Sequence, residues 1–155
     1  HLILELCFKD KIFNTEKELK YIDDFIRTNS IDESQRLKNG IENFKNSEIY
    51  SELNNSEIVL FEQAFNFFDL EKNYNQKRII DLLYFYNGKW NIIDFKSNAF
   101  NDRSYEEIIL EHSYDKQLQE YFNYVASKYG KNSINRCQIL WLEDGQTSDM
   151  IGVDK

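Results

Sequence analysis

The stretch Ile79–Ser97, IIDLLYFYNGKWNIIDFKS, decides the fold. Two runs rich in Ile, Leu, Tyr, Phe and Trp flank Asn87-Gly88. Both central positions of a two-residue hairpin turn need residues that tolerate positive φ, so the stretch predicts an antiparallel β-hairpin. With this turn Tyr86 faces Lys89, and the same register carried back along the strands sets Asp81 opposite Asp94, with Cβ atoms roughly 4.5–5.5 Å apart. Strand alternation sends Lys96 to the face of Asp94, about 7 Å further along. Two carboxylates and an ammonium therefore meet on one patch. Ile79, Ile80, Leu82 and Leu83 on one strand, and Ile92, Ile93 and Phe95 on the other, imply a hairpin covered on both faces. Opposed carboxylates in such surroundings destabilise a sheet unless a proton or a cation lies between them. A hard divalent ion fits, because Mg²⁺ (or Mn²⁺) prefers carboxylate, carbonyl and water oxygens. The plainer alternative is an Asp/Lys ion-pair ladder on a solvated face, which a lone D-x-K tripeptide would not displace.

The wider pattern carries a resemblance. Asp81, then Asp94-Phe95-Lys96 ending an apolar strand after a Trp-containing hairpin, then Gln117-Leu118-Gln119-Glu120-Tyr121 on a predicted helix, resemble the nuclease domain of RecB and AddA helicase-nucleases, within the PD-(D/E)XK superfamily. The family pattern is roughly G-x-x-D, a short hairpin, D-Y-K, then Q-L-x-x-Y. Each piece is weak alone; the order and spacing together are specific, and the match runs from residue 1 to near Glu143. The resemblance implies an α/β fold with a restriction-endonuclease-like αβββαβ core: a mixed central sheet flanked by helices, preceded by extra N-terminal helices, in a single domain over residues 1–155.

It also implies a metal-dependent DNA nuclease. Asp81, Asp94 and the Phe95 backbone carbonyl would hold one or two Mg²⁺ or Mn²⁺ ions, and Lys96 would position or deprotonate the attacking water or stabilise transition-state charge. Gln117 and Tyr121, at i and i+4 on one helix face, would contact the substrate backbone or orient the lysine. Residues 1–8 fit both the strand and the helix period; the family opens with a helix reading H-x-x-L-E, so the resemblance favours a helix and makes His1 a candidate metal ligand. Glu62, followed by Phe65, matches an E-x-x-F pattern and is a further candidate ligand, with an exposed strand glutamate as the alternative. Arg78 stands where the family has glycine. The implied setting is exonucleolytic processing of DNA ends in double-strand-break repair in the bacterial cytoplasm. Helicase domains would lie in the same polypeptide, with an AddB/RecC-like partner subunit.

Composition bears on that expectation. The net charge of −8, from 19 Lys+Arg against 27 Asp+Glu, argues against a stand-alone nucleic-acid binder, whose affinity comes largely from cations neutralising phosphates. Bound divalent ions would make a carboxylate-lined site attractive to phosphate, and attached domains or partners would deliver DNA. Two cysteines, Cys7 and Cys137, cannot hold a four-cysteine iron–sulfur cluster and read as small buried residues. No apolar run approaches the roughly 18 residues of a membrane span, and no signal peptide is evident, so the chain reads as intracellular with no membrane partner. Starting at His rather than Met, it reads as a piece of a longer polypeptide. Two rivals remain: a non-catalytic nuclease-like scaffold that binds DNA or a partner subunit, and a free-standing restriction-type endonuclease.

Around the hairpin, Thr15-x-x-Glu18, Ser30-x-x-Glu33 and Ser104-x-x-Glu107 predict capped helix starts. Leu19, Ile22, Phe25 and Ile26 would line the first helix after the opening segment, and Ile31, Leu37, Ile41 and Phe44 the second, which Gly40 interrupts. A strand over Glu57–Leu70 would put Phe61, Phe65 and Phe67 on one face and Glu62, Ala64 and Asn66 on the other. Glu71–Gln76 reads as a polar linker, Asn98–Arg103 as a loop, and Ser113 as a helix break with His112 exposed. Tyr114–Tyr129 predicts a helix with Leu118, Tyr121 and Val125 inward, closed by Gly130. A strand over Ile134–Glu143, a turn at Asp144-Gly145 and a final strand over Met150–Val153 complete the chain.

Overall fold

The computed structural model describes residues 1–69 and 71–150. Helices α1 (Leu2–Lys9), α2 (Glu18–Thr28), α3 (Ser34–Lys45) and α4 (Glu48–Leu53) precede three strands, β1 (Ile58–Asp69), β2 (Tyr74–Tyr86) and β3 (Lys89–Lys96). Helices α5 (Tyr105–His112) and α6 (Tyr114–Tyr129) and a 3-10 turn lead to β4 (Ile134–Trp141) and β5 (Thr147–Asp149). The strands lie in the order β1-β2-β3-β4-β5. Among the described strands β3 and β4 run parallel and the other neighbours antiparallel. Parallel neighbours need a long crossover, which α5 and α6 supply. The fold is α/β, a five-stranded mixed sheet flanked by helices, with the element order expected of the αβββαβ core.

The hairpin forms in the register that Asn87-Gly88 dictates, from Tyr86 opposite Lys89 to Leu82 opposite Ile93, and both turn residues take positive φ, 50° and 74°. Its continuous apolar runs are buried on both faces. Leu82, Tyr84, Ile93 and Phe95 pack against the N-terminal helices. Leu83, Ile92, Ile139 and Trp141 pack with Leu118, Tyr121 and Val125 of α6.

One of the three capping boxes forms. Ser104 Oγ accepts from the Glu107 amide at 3.2 Å while the Glu107 carboxylate accepts from the Ser104 amide at 2.7 Å. Ser104→Ala removes half of this exchange and is expected to cost about 1 kcal/mol in a urea titration. The other two patterns do something else. The Thr15 hydroxyl donates to the Ile12 carbonyl at 2.6 Å, and α2 begins only at Glu18, whose carboxylate accepts from the Asn14 amide. Ser30, at φ 51°, follows the end of α2 rather than opening α3. Glu18 is drawn inward by its 2.6 Å ion pair with Lys45. With Glu18 and Ile22 inward, Leu19, one residue round a helix of about 3.6 residues per turn, is left 71% exposed and outside the predicted stripe.

Gly40 does not break α3. A Cβ there would lie 3.4 Å from the Leu142 Cβ, so the glycine lets the helix approach the end of β4 closely. Helix α4 is anchored at long range: Glu52 accepts from the Tyr84 hydroxyl at 2.5 Å and from Arg136 at 2.9 Å, joining it to β2 and β4. Strand β2 starts at Tyr74, inside the predicted linker. The last strand is Thr147–Asp149, ahead of the predicted one, whose residues 151–153 lie outside those described. Among the described residues no helix is long and apolar enough to cross a membrane.

Candidate functional site

The ladders of β1, β2 and β3 fail at one level of the sheet. Pairing of β1 with β2 passes from Phe61–Leu82 to Gln63–Ile80 without Glu62 and Asp81, and pairing of β2 with β3 stops at Leu82–Ile93. Glu62 adopts φ 53°, a left-handed conformation that a side chain with a Cβ occupies at a cost. The alternation of β1 reverses there. Phe61 lies 5.6 Å from the Phe8 ring of α1, whereas Phe65 stacks on Tyr124 of α6 at 4.2 Å. Phe61 therefore does not share a face with Phe65 and Phe67 as strict alternation requires. Ile80 and Leu83 of β2, which alternation would place on opposite faces, also pack in the same cluster.

This reversal frees the Asp81 carboxylate. Its Oδ2 accepts from the Phe95 amide at 2.8 Å, a group that a continuing ladder would bond to β2 backbone. Its Oδ1 lies 3.3 Å from His1 Nδ1. Asp81 and Asp94 are thus not a ladder pair; Asp81 fills the split between the strands. The Phe95 carbonyl projects toward the same edge as its N–H. Helix α1 brings His1 to the split, with its ring 5.6 Å from that of Phe95. Donor atoms of His1, Glu62 and Asp81 lie within 4.8 Å of one another. An imidazole nitrogen, two carboxylates and a nearby carbonyl are donors that suit a divalent cation.

Asp94 is 1% exposed. Its Oδ2 faces the Lys96 ammonium at 2.7 Å and, among the described residues, meets no other donor. Asp94, an expected ligand, is not one of the three residues whose donor atoms converge, and the cation its Oδ2 faces is the Lys96 ammonium. Burial, then the charge of Asp81, push the Asp94 carboxyl up to about 6 against the opposing pull of Lys96 and His1. Burial disfavours the His1 imidazolium, yet the hydrogen bond and charge of Asp81, with the charge of Asp94, outweigh it and raise the imidazole. Burial and the Asp81 charge likewise raise Glu62.

Lys96 is held from three sides: Asp94, the Gln117 Oε1 that accepts from it at 3.0 Å, and the Tyr114 ring 4.1 Å from Nζ. Gln117 Nε2 donates in turn to the buried Tyr121 hydroxyl at 2.6 Å. Of the two roles expected for the Gln117–Tyr121 pair, the geometry supplies orientation of the lysine. Tyr114 was missed in the sequence, although it precedes Gln117 by one helical turn, the spacing that places both over the same spot; its hydroxyl donates to Asn98 at 3.1 Å. Arg78 is tied to Glu120 at 2.7 Å and lies over the Phe67 ring. His112 is exposed and stacks on Tyr114 at 5.1 Å. Cys7 and Cys137 are free, buried, and pushed up to about 12 by burial, which makes them poor nucleophiles.

The strained backbone at Glu62 gives a test of what that residue is for. Glu62→Gly relieves the left-handed strain and should raise the stability of the cation-free protein by about 1 kcal/mol. The same change should weaken Mn²⁺ uptake, so calorimetry should show melting and affinity moving in opposite directions. No protein-family model matches the chain, and no curated protein matches it.

Proposed function

We propose that the chain is a metal-dependent DNA nuclease domain of the RecB/AddA type, hydrolysing phosphodiesters. The observation that carries the reading is the convergence of His1, Glu62 and Asp81 within 4.8 Å where the sheet splits, against a buried Asp94–Lys96 pair. His1, Glu62, Asp81 and the Phe95 carbonyl would hold Mg²⁺ or Mn²⁺, with Asp94 completing the donor set. A cation bound there supplies charge to polarise a phosphodiester and acidify water. Asp81 orients the active strand by its bond to the Phe95 amide. Lys96, fixed by Gln117, presents its ammonium to developing negative charge or carries a proton. The cellular setting that accords with this chemistry is exonucleolytic end processing in a bacterial cytoplasm, with helicase domains and an AddB/RecC-like subunit supplying DNA to a domain of net charge −8.

That charge also favours a second reading, a nuclease-like scaffold that braces a partner. Titration calorimetry with Mn²⁺ on wild type and Asp81→Asn, paired with degradation of linear and circular DNA, separates the two. The nuclease requires Mn²⁺ uptake that Asp81→Asn loses, and cleavage that EDTA abolishes. Equal heats from both proteins and intact DNA would leave the scaffold.

A further inference from the structure

Beyond the end of the β2–β3 ladder, β1 and β2 continue together as a two-stranded arm, Ala64–Asp69 against Tyr74–Ile79. One face of the arm is occupied. Phe65 stacks on Tyr124, and Arg78 lies over Phe67 while pairing with Glu120, all against α6. The other face carries three rows of cross-strand partners leading away from Glu62 and Asp81: Ala64 with Ile79, Asn66 with Lys77, and Phe68 with Asn75. All six side chains are exposed, Phe68 to 51%.

The position of this face follows from the reversal at Glu62 and Asp81. Before it, Val59 and Phe61 point toward the N-terminal helices; after it, the even-numbered residues of β1 take that side. The six residues therefore extend the side of the sheet on which α1 delivers His1 to the cluster. The track runs about 20 Å from Asp81 at roughly 3.4 Å per residue. In a chain with 27 Asp+Glu, it includes no acidic side chain. It offers one lysine, two amides, a small apolar row and one open aromatic ring.

We infer that this face seats single-stranded DNA, the end of the strand whose phosphodiester reaches the cluster; the inference rests on the nuclease reading above. Successive rows repeat every two residues, about 7 Å, a spacing comparable with that of nucleotides in an extended strand. Phe68 provides the π-face on which an unpaired base stacks, and Lys77 meets a phosphate. A duplex, whose bases already stack on one another, gains nothing from Phe68. A second copy of the chain would need roughly 20–30 residues a side for a stable interface, far more than this face offers.

The test is a titration in Ca²⁺, a hard cation that takes the same oxygen donors and offsets the charge of −8, with a fluorescein-labelled oligodeoxythymidine of about 12 nucleotides, within the usual span of such sites. Anisotropy and amide chemical shifts are read together. Wild type should bind, with shifts along residues 64–68 and 75–79. Phe68→Ala should weaken binding about 10-fold, and Phe68→Trp should restore or exceed it. Lys77→Ala should lower the log–log salt slope by about 0.7. Absence of binding, indifference to Phe68→Ala, preference for duplex, or Phe68-dependent self-association without oligonucleotide binding would each overturn the inference. A parallel Mn²⁺ titration separates the two readings. Metal uptake with an indifferent arm sinks the arm alone, and oligonucleotide binding without metal uptake sinks the nuclease reading.

Discussion

Lys96→Ala should lower the single-turnover rate of DNA cleavage by about 10³-fold, about 4 kcal/mol of transition-state stabilisation, while Mn²⁺ affinity changes little. The size follows from how the ammonium is held. Gln117, the Tyr114 ring and Asp94 restrain Lys96 from three directions, so little reorganisation is needed as charge develops. A freely moving surface lysine would not deliver an effect of this size. Lys96→Arg should recover little, because a planar guanidinium fork cannot reproduce a compact ammonium seated between a ring face, an amide oxygen and a carboxylate. Gln117→Ala should cost about 10-fold, since it loosens the lysine without removing it. The measurement is quenched-flow cleavage at saturating Mn²⁺, with near-UV circular dichroism to show that the fold survives. Unchanged cleavage by Lys96→Ala would remove this residue from the chemistry.

The hairpin and its register were legible because they are encoded locally: two residues that tolerate positive φ set the turn, and every pair out to Leu82–Ile93 follows by counting. The split above that pair was not legible. It depends on Glu62 holding a left-handed backbone, which no glycine announces, and on Asp81 exchanging a ladder position for the Phe95 amide. Both are set by packing, with Phe61 claimed by α1 and Phe65 by α6. The spacing of the phenylalanines held the clue, because putting Phe61 and Phe65 on one face ignores that the residues between them include the predicted ligand. Helix α4 was invisible for a related reason: its six residues are fixed by Glu52 reaching Tyr84 and Arg136, partners 32 and 84 residues away. The capping boxes show the limit of motifs. Ser104 and Ser30 sit in the same S-x-x-E pattern, yet Ser30 is spent on ending the preceding helix.

Asp94→Asn should stabilise the protein in EDTA at pH 7.5 by about 3 kcal/mol and make no difference near pH 4. The Asp94 carboxyl is raised to about 6, first by burial and then by the Asp81 charge, from roughly 3.9 in an unfolded chain. A raised carboxyl means that the fold prefers the protonated acid. Its contribution to stability is fully present below the unfolded value and is lost as pH climbs through the folded one. Above about pH 6 the cation-free fold therefore carries a buried charge that Lys96, 2.7 Å away, compensates only in part. Asparagine keeps the shape and removes that charge. His1, raised as well, acts in the same direction at higher pH. Saturating Mg²⁺ or Mn²⁺ should invert the ranking: wild type gains stability by binding, Asp94→Asn gains less, and cleavage by the variant falls. Thermal melts of both proteins from pH 4 to 8, with EDTA and with Mn²⁺, read the crossing directly. A residue that merely braces the sheet would be more stable as aspartate under every condition, and parallel curves with no crossing would remove Asp94 from the metal site.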